Sequence, residues 1–442
     1  MKLSVIGTGY LGATHAACMA ELGHDVVGVD VDKQKIDALA AARVPFYEPG
    51  LPEVLARNLE AGRLRFSTEY ARAAEHATVH FLAVGTPQRR GSYAADLTYV
   101  RAVIEQLVPL LEGEHLIVGK STVPVGTAEQ LQELADSLAR PGASVEIAWN
   151  PEFLREGHAV EDTIHPDRLV LGLREGAASE AAEAVVREVY ATPLAEGVPF
   201  LVMNLPTAEL VKVSANAFLA TKISFINAVS EVCEAAGADV TSLAHAMGHD
   251  ERIGHKFLGA GLGFGGGCLP KDIRAFMARA GELGVDQALT FLREVDAINQ
   301  RRRERVVELA RRFCEHSLIG VRVCVLGAAF KPNSDDVRDS PALNVAGSLS
   351  LAGAHVTVYD PQAMDNAQRV FPTLAYAPTA EEALQGAQVV ILATEWQEFR
   401  DLDPVATADL VERRNLIDAR NVLDLSLWRQ AGWDVYALGR AV

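Results

Sequence analysis

The segment Gly259–Asp272 reads Gly-Ala-Gly-Leu-Gly-Phe-Gly-Gly-Gly-Cys-Leu-Pro-Lys-Asp, with six glycines in the ten residues before Cys268. A flexible backbone of this kind wraps closely around something, and one thiol stands at its end beside Lys271 and Asp272. A cysteine near a cation and near a helix N-terminus can have a lowered pKa and act as a nucleophile. The plainer use of a lone cysteine is as a small buried hydrophobe. That use fits Cys18, Cys233, Cys314 and Cys324, each inside an apolar helix or strand pattern, and does not fit Cys268.

A second motif, Gly7-Thr8-Gly9-Tyr10-Leu11-Gly12, follows a short apolar strand and opens a helix. In such a G-x-G-x-x-G turn the first glycine permits the tight bend and the second admits a pyrophosphate. The third lets the helix pack on the strand, and the helix N-terminus gives amide donors to the anion. Asp30 closes the next strand, where ribose hydroxyls are read, and a carboxylate there repels a 2′-phosphate. The reading is an NAD site; the alternative is a glycine turn that binds nothing.

Three further segments carry polar groups that need a purpose. Lys212 and Asn216 lie four apart near the start of a long apolar helix, with Glu209 one turn earlier. Such a cation and amide could donate to an oxyanion, or could be an exposed lysine and a tolerated asparagine. Asn150–Gly157 and Ser121–Thr127 each follow a strand, at the carboxyl ends where ligands of parallel sheets sit. Arg301, Arg302, Arg303, Arg305, Arg311 and Arg312 read as a solvated basic face.

The elements that position these residues follow from pattern. Strand-like runs at Leu3–Ile6, Val26–Val29, Val79–Val84, Leu116–Val118, Val145–Ala148 and Leu169–Leu171 alternate with helical stretches. That alternation predicts a parallel sheet covered on both faces. Thr207–Ala236 predicts one helix of about 30 residues, roughly 45 Å long, and Phe276–Leu283 and Gln287–Arg312 add more helix. The strand–helix pattern then returns as an internal repeat: Gly23–Asp30 lies over Gly353–Asp360, and Leu3–Gly7 over Val323–Gly327. The second copy, Gly327-Ala328-Ala329-Phe330-Lys331, lacks the remaining glycines and instead offers Lys331 and Arg338 to an anion. The fold class expected is α/β, with two Rossmann-like doubly wound domains separated by a helical domain with a long spine helix. The boundaries expected are 1–204 for NAD, 205–312 for the helical part and 313–442 for the second nucleotide.

The chain has 442 residues, 49% of them hydrophobic, and 41 basic against 58 acidic residues, a net charge of −17. That charge argues against nucleic-acid binding, and no run approaches the roughly 20 apolar residues of a membrane span. Met1 leads directly into a strand, and the five cysteines show no metal-ligand spacing. The expectation is a reduced, cytoplasmic, metal-independent protein.

Taken in order, these motifs resemble the nucleotide-sugar 6-dehydrogenases, the UDP-glucose/GDP-mannose dehydrogenase family. The likeness covers essentially the whole chain. Val84-Gly85-Thr86-Pro87, Arg252-Ile253-Gly254, Phe330-Lys331-Pro332 and Val337-Arg338-Asp339-Ser340 add to the motifs above. The resemblance implies a central helical domain that forms a homodimer, and an oxidation in two NAD-dependent steps of the C6 alcohol of UDP-glucose. GDP-mannose or a UDP-N-acetylhexosamine is the alternative substrate. It further implies that Cys268 is the nucleophile, that Lys212 and Asn216 hold the oxyanion, that Asp272 and Thr122 order water, and that Glu152 does acid–base work. Gly7, Gly9, Tyr10, Leu11, Gly12, Asp30, Lys35, Thr86, Thr122, Glu156, Lys271 and Arg338 match positions near NAD. Glu152, Phe153, Leu154, Lys212, Asn216 and Arg252 match positions at the sugar nucleotide, as do Phe257, Gly261, Gly265, Phe330, Lys331 and Arg420. Gly267 departs from the pattern, since many relatives place serine there. A one-step hydroxyacid dehydrogenase would not need Cys268 or the second sheet, and a non-catalytic NAD scaffold would not need Lys212, Asn216, Glu152 and Asp272 together.

Overall fold

The computed structural model describes residues 1–440. The chain divides into two compact units, Met1–Ala215 with Arg274–Gly284, and Asn216–Ile273 with Val285–Val442.

The first unit is built on eight strands: β1 (Lys2–Ile6), β2 (Asp25–Val29), β3 (Leu64–Ser67), β4 (Val79–Leu82), β5 (Glu114–Gly119), β6 (Ser144–Trp149), β7 (Leu169–Leu173) and β8 (Phe200–Asn204). Their order is β3-β2-β1-β4-β5-β6-β7-β8. Successive side chains of a strand point to opposite faces, so Phe81 enters one apolar core while Leu82 enters the other. Both faces are therefore covered, and every residue of β4 is buried. One pairing departs from the expected parallel sheet: β6 and β7 are antiparallel. The Asn150–Gly157 loop leaves β6 at its carboxyl end, and β7 re-enters from that same end, which needs no crossover.

The long helix runs Leu205–Ala236, two residues earlier than the pattern suggested. Pro206 sits in its first turn, where a missing N–H costs nothing. A second helix, Leu269–Glu282, begins directly after Cys268, and a third spans Phe291–Phe313. On that third helix Arg301, Arg311 and Arg312 are exposed, as a solvated face requires, but two of the arginines between them are not. Arg302 is fully buried and Arg303 nearly so. Arg302 pairs with Glu234 at 3.4 Å, and Arg303 with Asp339 at 2.9 Å. Their partners lie far off in sequence, which is why the stripe read as solvent-facing.

The second unit holds six parallel strands: β9 (Arg322–Leu326), β10 (His355–Tyr359), β11 (Ala375–Tyr376), β12 (Val389–Leu392), β13 (Asn415–Asp418) and β14 (Asp434–Ala437), in the order β11-β10-β9-β12-β13-β14. The internal repeat holds down to single hydrogen bonds. Gly7 N donates to Val29 O at 2.7 Å, and Gly327 N to Tyr359 O at 2.7 Å. Thr8 N donates to Asp30 Oδ2 at 2.8 Å, and Ala328 N to Asp360 Oδ2 at 2.8 Å. The two aspartates then diverge. Asp360 is buried and also accepts from Ala329 N, Gln362 N, Ala363 N and the Trp396 indole. It is consumed as a structural acceptor, whereas Asp30 stays partly exposed at its strand end.

Asp360→Ala leaves several buried donors without an acceptor, so it lowers stability by about 3–5 kcal/mol. Asp30→Ala leaves only one buried residue, Thr8, as a donor without its acceptor, since Asp32 is exposed and Lys35 partly so, and costs less than about 1.5 kcal/mol on the same reasoning. Urea unfolding followed by tryptophan fluorescence measures the difference; equal losses contradict this account of the repeat.

Candidate active site

In the first unit, the turn after β1 has the geometry a dinucleotide needs. Gly7 adopts φ +89°, open to glycine at no steric cost. A Cβ on Gly12 would overlap the carbonyl oxygen of Gly7, so only glycine lets the helix Tyr10–Glu21 start this close. A Cβ on Gly9 would point into open space, the side from which a pyrophosphate approaches. Asp30 accepts from Thr8 N at 2.8 Å and Asp32 N at 3.0 Å, and Lys35 Nζ lies 2.8 Å away. Burial alone would raise its carboxyl, but Lys35 and those amides outweigh burial and hold it below the usual range. A fixed carboxylate at this position fits the ribose of NAD. Lys35 thus serves as the counter-ion of Asp30, and Leu11 packs into the adjacent core.

Tyr10 ties this turn to the Glu152 loop. Its hydroxyl donates to Glu48, whose carboxylate also accepts from Gly157 N and Ala159 N, each at 2.7 Å. Burial and the Glu48 charge push the Tyr10 phenol far up, so it remains a donor. Glu156 and Gly157 are thereby held to the glycine turn.

The same unit gathers Thr86, Thr122, Glu152 and Lys212. Thr86 Oγ1 donates to Thr122 O at 2.7 Å. Glu152 Oε1 accepts from Phe153 N at 2.8 Å and Leu154 N at 2.9 Å, which fixes the carboxylate on its own loop. Its other oxygen meets Lys120 Nζ at 3.1 Å. Lys120 is buried and also donates to Asn150 Oδ1 at 2.8 Å. Burial alone would push the ammonium toward neutrality, but Glu152 and Tyr190 beside it reverse this, and the net shift is upward. Glu152 therefore faces a permanent cation. The Lys212 ammonium lies 5.3 Å from the centre of the Phe153 ring, within the range of a cation–π contact.

The second unit holds Cys268, Asn216 and Asp272. Cys268 is exposed and the other four cysteines are buried. Asp272 N donates to Cys268 O at 2.9 Å, so the cysteine stands at the mouth of its helix, facing the partial positive charge of the first turn. Asp272 is buried, accepts from Asn216 Nδ2 at 2.7 Å and pairs with Lys271 at 2.7 Å. The glycine ribbon before the cysteine is pinned rather than flexible. Phe264 N donates to Asn299 Oδ1 at 2.8 Å, and Asn299 Nδ2 donates to Phe264 O at 2.9 Å. Gly261 N donates to Asn227 at 2.9 Å, and Gly266 N to Arg338 O at 2.8 Å. A Cβ on Gly265 would lie 2.6 Å from Pro341. What the ribbon wraps closely is the second unit itself.

Arg338 explains the departure at Gly267. Its guanidinium fills the space that a Cβ at 267 would occupy, while forming a forked pair with Asp336. Arg420 donates to Gly263 O at 2.9 Å and to Ala393 O at 2.7 Å, joining ribbon to sheet. Lys331 lies over the Phe330 ring at 5.4 Å. Arg252 is exposed and paired with Asp250 at 2.6 Å, and Phe257 is exposed with φ +65°. Sequence reasoning passed over Lys120, Tyr190, Glu48 and Asn299. Lys120 had one signal, a lysine at the end of an apolar strand; the others act on partners 35 to 111 residues away.

Three models of the UDP-glucose/GDP-mannose dehydrogenase family match the chain: the NAD binding domain over residues 1–193, the central domain over 206–301 and the UDP binding domain over 324–425. A UDP-glucose 6-dehydrogenase of Rhizobium meliloti (strain 1021) is 40% identical over the full length of both chains. One from Rickettsia typhi is 38% identical, again over the full length of both. A solved UDP-glucose dehydrogenase from Pyrobaculum islandicum superposes with TM-score 0.89 at 39% identity, covering 98% of each chain. A UDP-D-ManNAc dehydrogenase from Pyrococcus horikoshii has TM-score 0.86 at 25% identity, covering 100% of this chain and 99% of its own.

Removing one partner of a buried ion pair leaves the other charge uncompensated, so Lys120→Met destabilises the protein by about 3–5 kcal/mol. Adding Glu152→Gln recovers part of that loss, because the two residues share one interaction. A double-mutant cycle by urea unfolding measures this; strictly additive losses contradict the pairing.

Proposed function

Since the chain belongs to the UDP-glucose/GDP-mannose dehydrogenase family, we propose that it oxidises the C6 alcohol of UDP-glucose to the carboxylate in two NAD-dependent steps. The observation that carries this reading is the placement of Cys268. It is the one exposed thiol of five, at a helix mouth beside an Asp272 that is held by Asn216. A one-step dehydrogenase has no use for such a thiol. The 38–40% identity to UDP-glucose enzymes, against 25% to the UDP-D-ManNAc enzyme, favours UDP-glucose over the other sugar nucleotides.

NAD, bound at Gly7–Gly12 and Asp30, supplies the hydride acceptor for each oxidation. In the first, the C6 hydroxyl loses its proton through Glu152, directly or through water ordered by Thr122, and C6 becomes an aldehyde. Cys268 then adds to the aldehyde carbon. A C–S bond forms, the carbonyl π bond opens, and its oxygen carries the charge. Lys212 and Asn216, one turn apart on the long helix, donate to that oxygen. Fixed donors of this kind need no reorganisation, and losing one typically costs about 3–4 kcal/mol of barrier. Loss of the second hydride from C6 leaves a thioester on Cys268. Water ordered by Asp272 adds to it, the C–S bond breaks, and the thiolate and a carboxylate are released. Lys331, Arg420, Arg252, Phe257 and Phe330, with the ribbon glycines Gly261 and Gly265, are proposed to line the sugar-nucleotide site. Lys271, Arg338, Thr86 and Glu156 are proposed to flank NAD.

We also propose a homodimer formed through the central helical segment, 205–312. Phe218, Phe225 and Val232 are exposed and seven residues apart on the long helix, one apolar stripe that a second copy would cover. No helix among the described residues is long and apolar enough to cross a membrane. A cytoplasmic location is supported by five thiols with no disulfide among them.

The expected yield is two NADH per UDP-glucose; one NADH per sugar overturns the two-step reading. Cys268→Ser nearly abolishes uronate formation while NAD and UDP-glucose still bind within a few fold; full turnover by that variant removes the covalent step. Phe225→Glu shifts the sedimentation profile toward monomer, and an unchanged profile contradicts the dimer surface.

A further inference from the structure

The Ser121–Thr127 loop carries Thr122 and leads into the helix Thr127–Leu138. Gly126 is the N-cap residue of that helix and adopts φ +88°, a conformation that favours glycine. A glycine has no side chain with which to cap the exposed amides of the first turn. The cap comes instead from the long helix. Glu209 Oε2 accepts from Gly126 N at 2.6 Å, and Glu209 Oε1 accepts from Ala128 N at 2.7 Å. Glu209 is almost fully buried, and burial pushes its carboxyl up to about 7 against the pull of those amides. A carboxylate at a helix N-terminus also gains from the helix dipole.

A second element grips the same loop from another side. Arg279 Nε, on the helix Leu269–Glu282, donates to Val125 O at 3.0 Å. Its guanidinium lies 3.3 Å from where a Cβ on Gly126 would be. Behind the loop is a cavity of about 160 Å³, lined by Pro124, Val125, Thr127, Ala275 and Arg279 among others. Space of that size gives the loop somewhere to go unless it is tied down.

Each tie originates on a helix that also bears a proposed catalytic residue. Glu209 is one turn before Lys212. Arg279 is seven residues after Asp272, hence on the same face of its helix two turns on. We propose that Glu209 and Arg279 are positioning residues that clamp the Ser121–Thr127 loop to these two helices and thereby fix Thr122 beside the NAD site. The clamp gives two widely separated parts of the chain a shared reference point for Thr122. This inference rests on the reading of Thr122 as an active-site residue. Wild-type turnover tests that reading by itself, and the variants below are scored only relative to wild type.

The experiment is steady-state kinetics with UDP-glucose and NAD on Glu209→Gln, Arg279→Met, their double variant and Arg279→Lys, with thermal melting alongside. A small displacement of a positioned group can cost up to about a hundredfold in rate. Each single variant is expected to lower kcat about tenfold, with KM for UDP-glucose within about twofold. Because both ties hold one loop, the double variant loses about ten- to thirtyfold rather than the hundredfold of independent sites. Arg279→Lys, which keeps a donor for Val125 O, recovers most of the Arg279→Met loss. A kcat within twofold of wild type in Arg279→Met, losses that multiply in the double variant, or no recovery in Arg279→Lys each overturn the proposal. Should Glu209→Gln fail to fold, Arg279→Met and Arg279→Lys still decide it, since Arg279 is partly exposed and makes no buried cap.

Discussion

A nucleophile on a polypeptide is only as well placed as the backbone that carries it, and glycine loses the most freedom when it is ordered. The ribbon before Cys268 meets that cost by close approach. At Gly263, Gly265 and Gly267 the space of a side chain is already taken by Asn299, by Asp339 with Pro341, and by the Arg338 guanidinium. The same absence of side chains that makes the segment floppy in an unfolded chain lets two distant parts of the fold, the helix at Asn299 and the segment Arg338–Pro341, press against it. Asn299 clamps Phe264 through both its amide oxygen and nitrogen. Arg303, buried on the same helix, donates to Phe264 O at 3.3 Å and pairs with Asp339. The thiol is therefore presented from a rigid edge.

Electrostatics divides the work in a similar way. The carboxylates assigned to chemistry are each given a defined partner: Lys120 for Glu152, Asn216 and Lys271 for Asp272, Lys35 for Asp30. Those assigned to architecture are spent on backbone amides: Glu48 on Gly157 and Ala159, Glu209 on Gly126 and Ala128, Asp360 on the second sheet's turn. An acidic protein can afford this many carboxylates inside because each is satisfied by amide donors or a cation.

The parts legible from sequence were those whose signal is local. The glycine turn, Asp30 and the one exposed cysteine stand where pattern placed them. The internal repeat, visible only as Gly23–Asp30 over Gly353–Asp360, extends to matched hydrogen bonds at Gly7 and Gly327. Residues whose role depends on remote partners were not legible. Arg302 and Arg303 look like a solvated stripe until Glu234 and Asp339 are brought to them. The antiparallel β6–β7 pairing leaves no trace in strand composition, since both strands are almost wholly buried and mainly apolar. The glycine-rich ribbon read as flexible because sequence shows the missing side chains but not what fills their place.

The account turns on a covalent bond between Cys268 and the half-oxidised sugar. Acid-quenching the enzyme during turnover of UDP-glucose and NAD, followed by peptide mass spectrometry, reads that bond directly. The account predicts an acyl adduct of the sugar nucleotide on the Cys268 peptide that disappears when substrate is exhausted. Two NADH per sugar with no adduct at any time, or an adduct on a different residue, would contradict it.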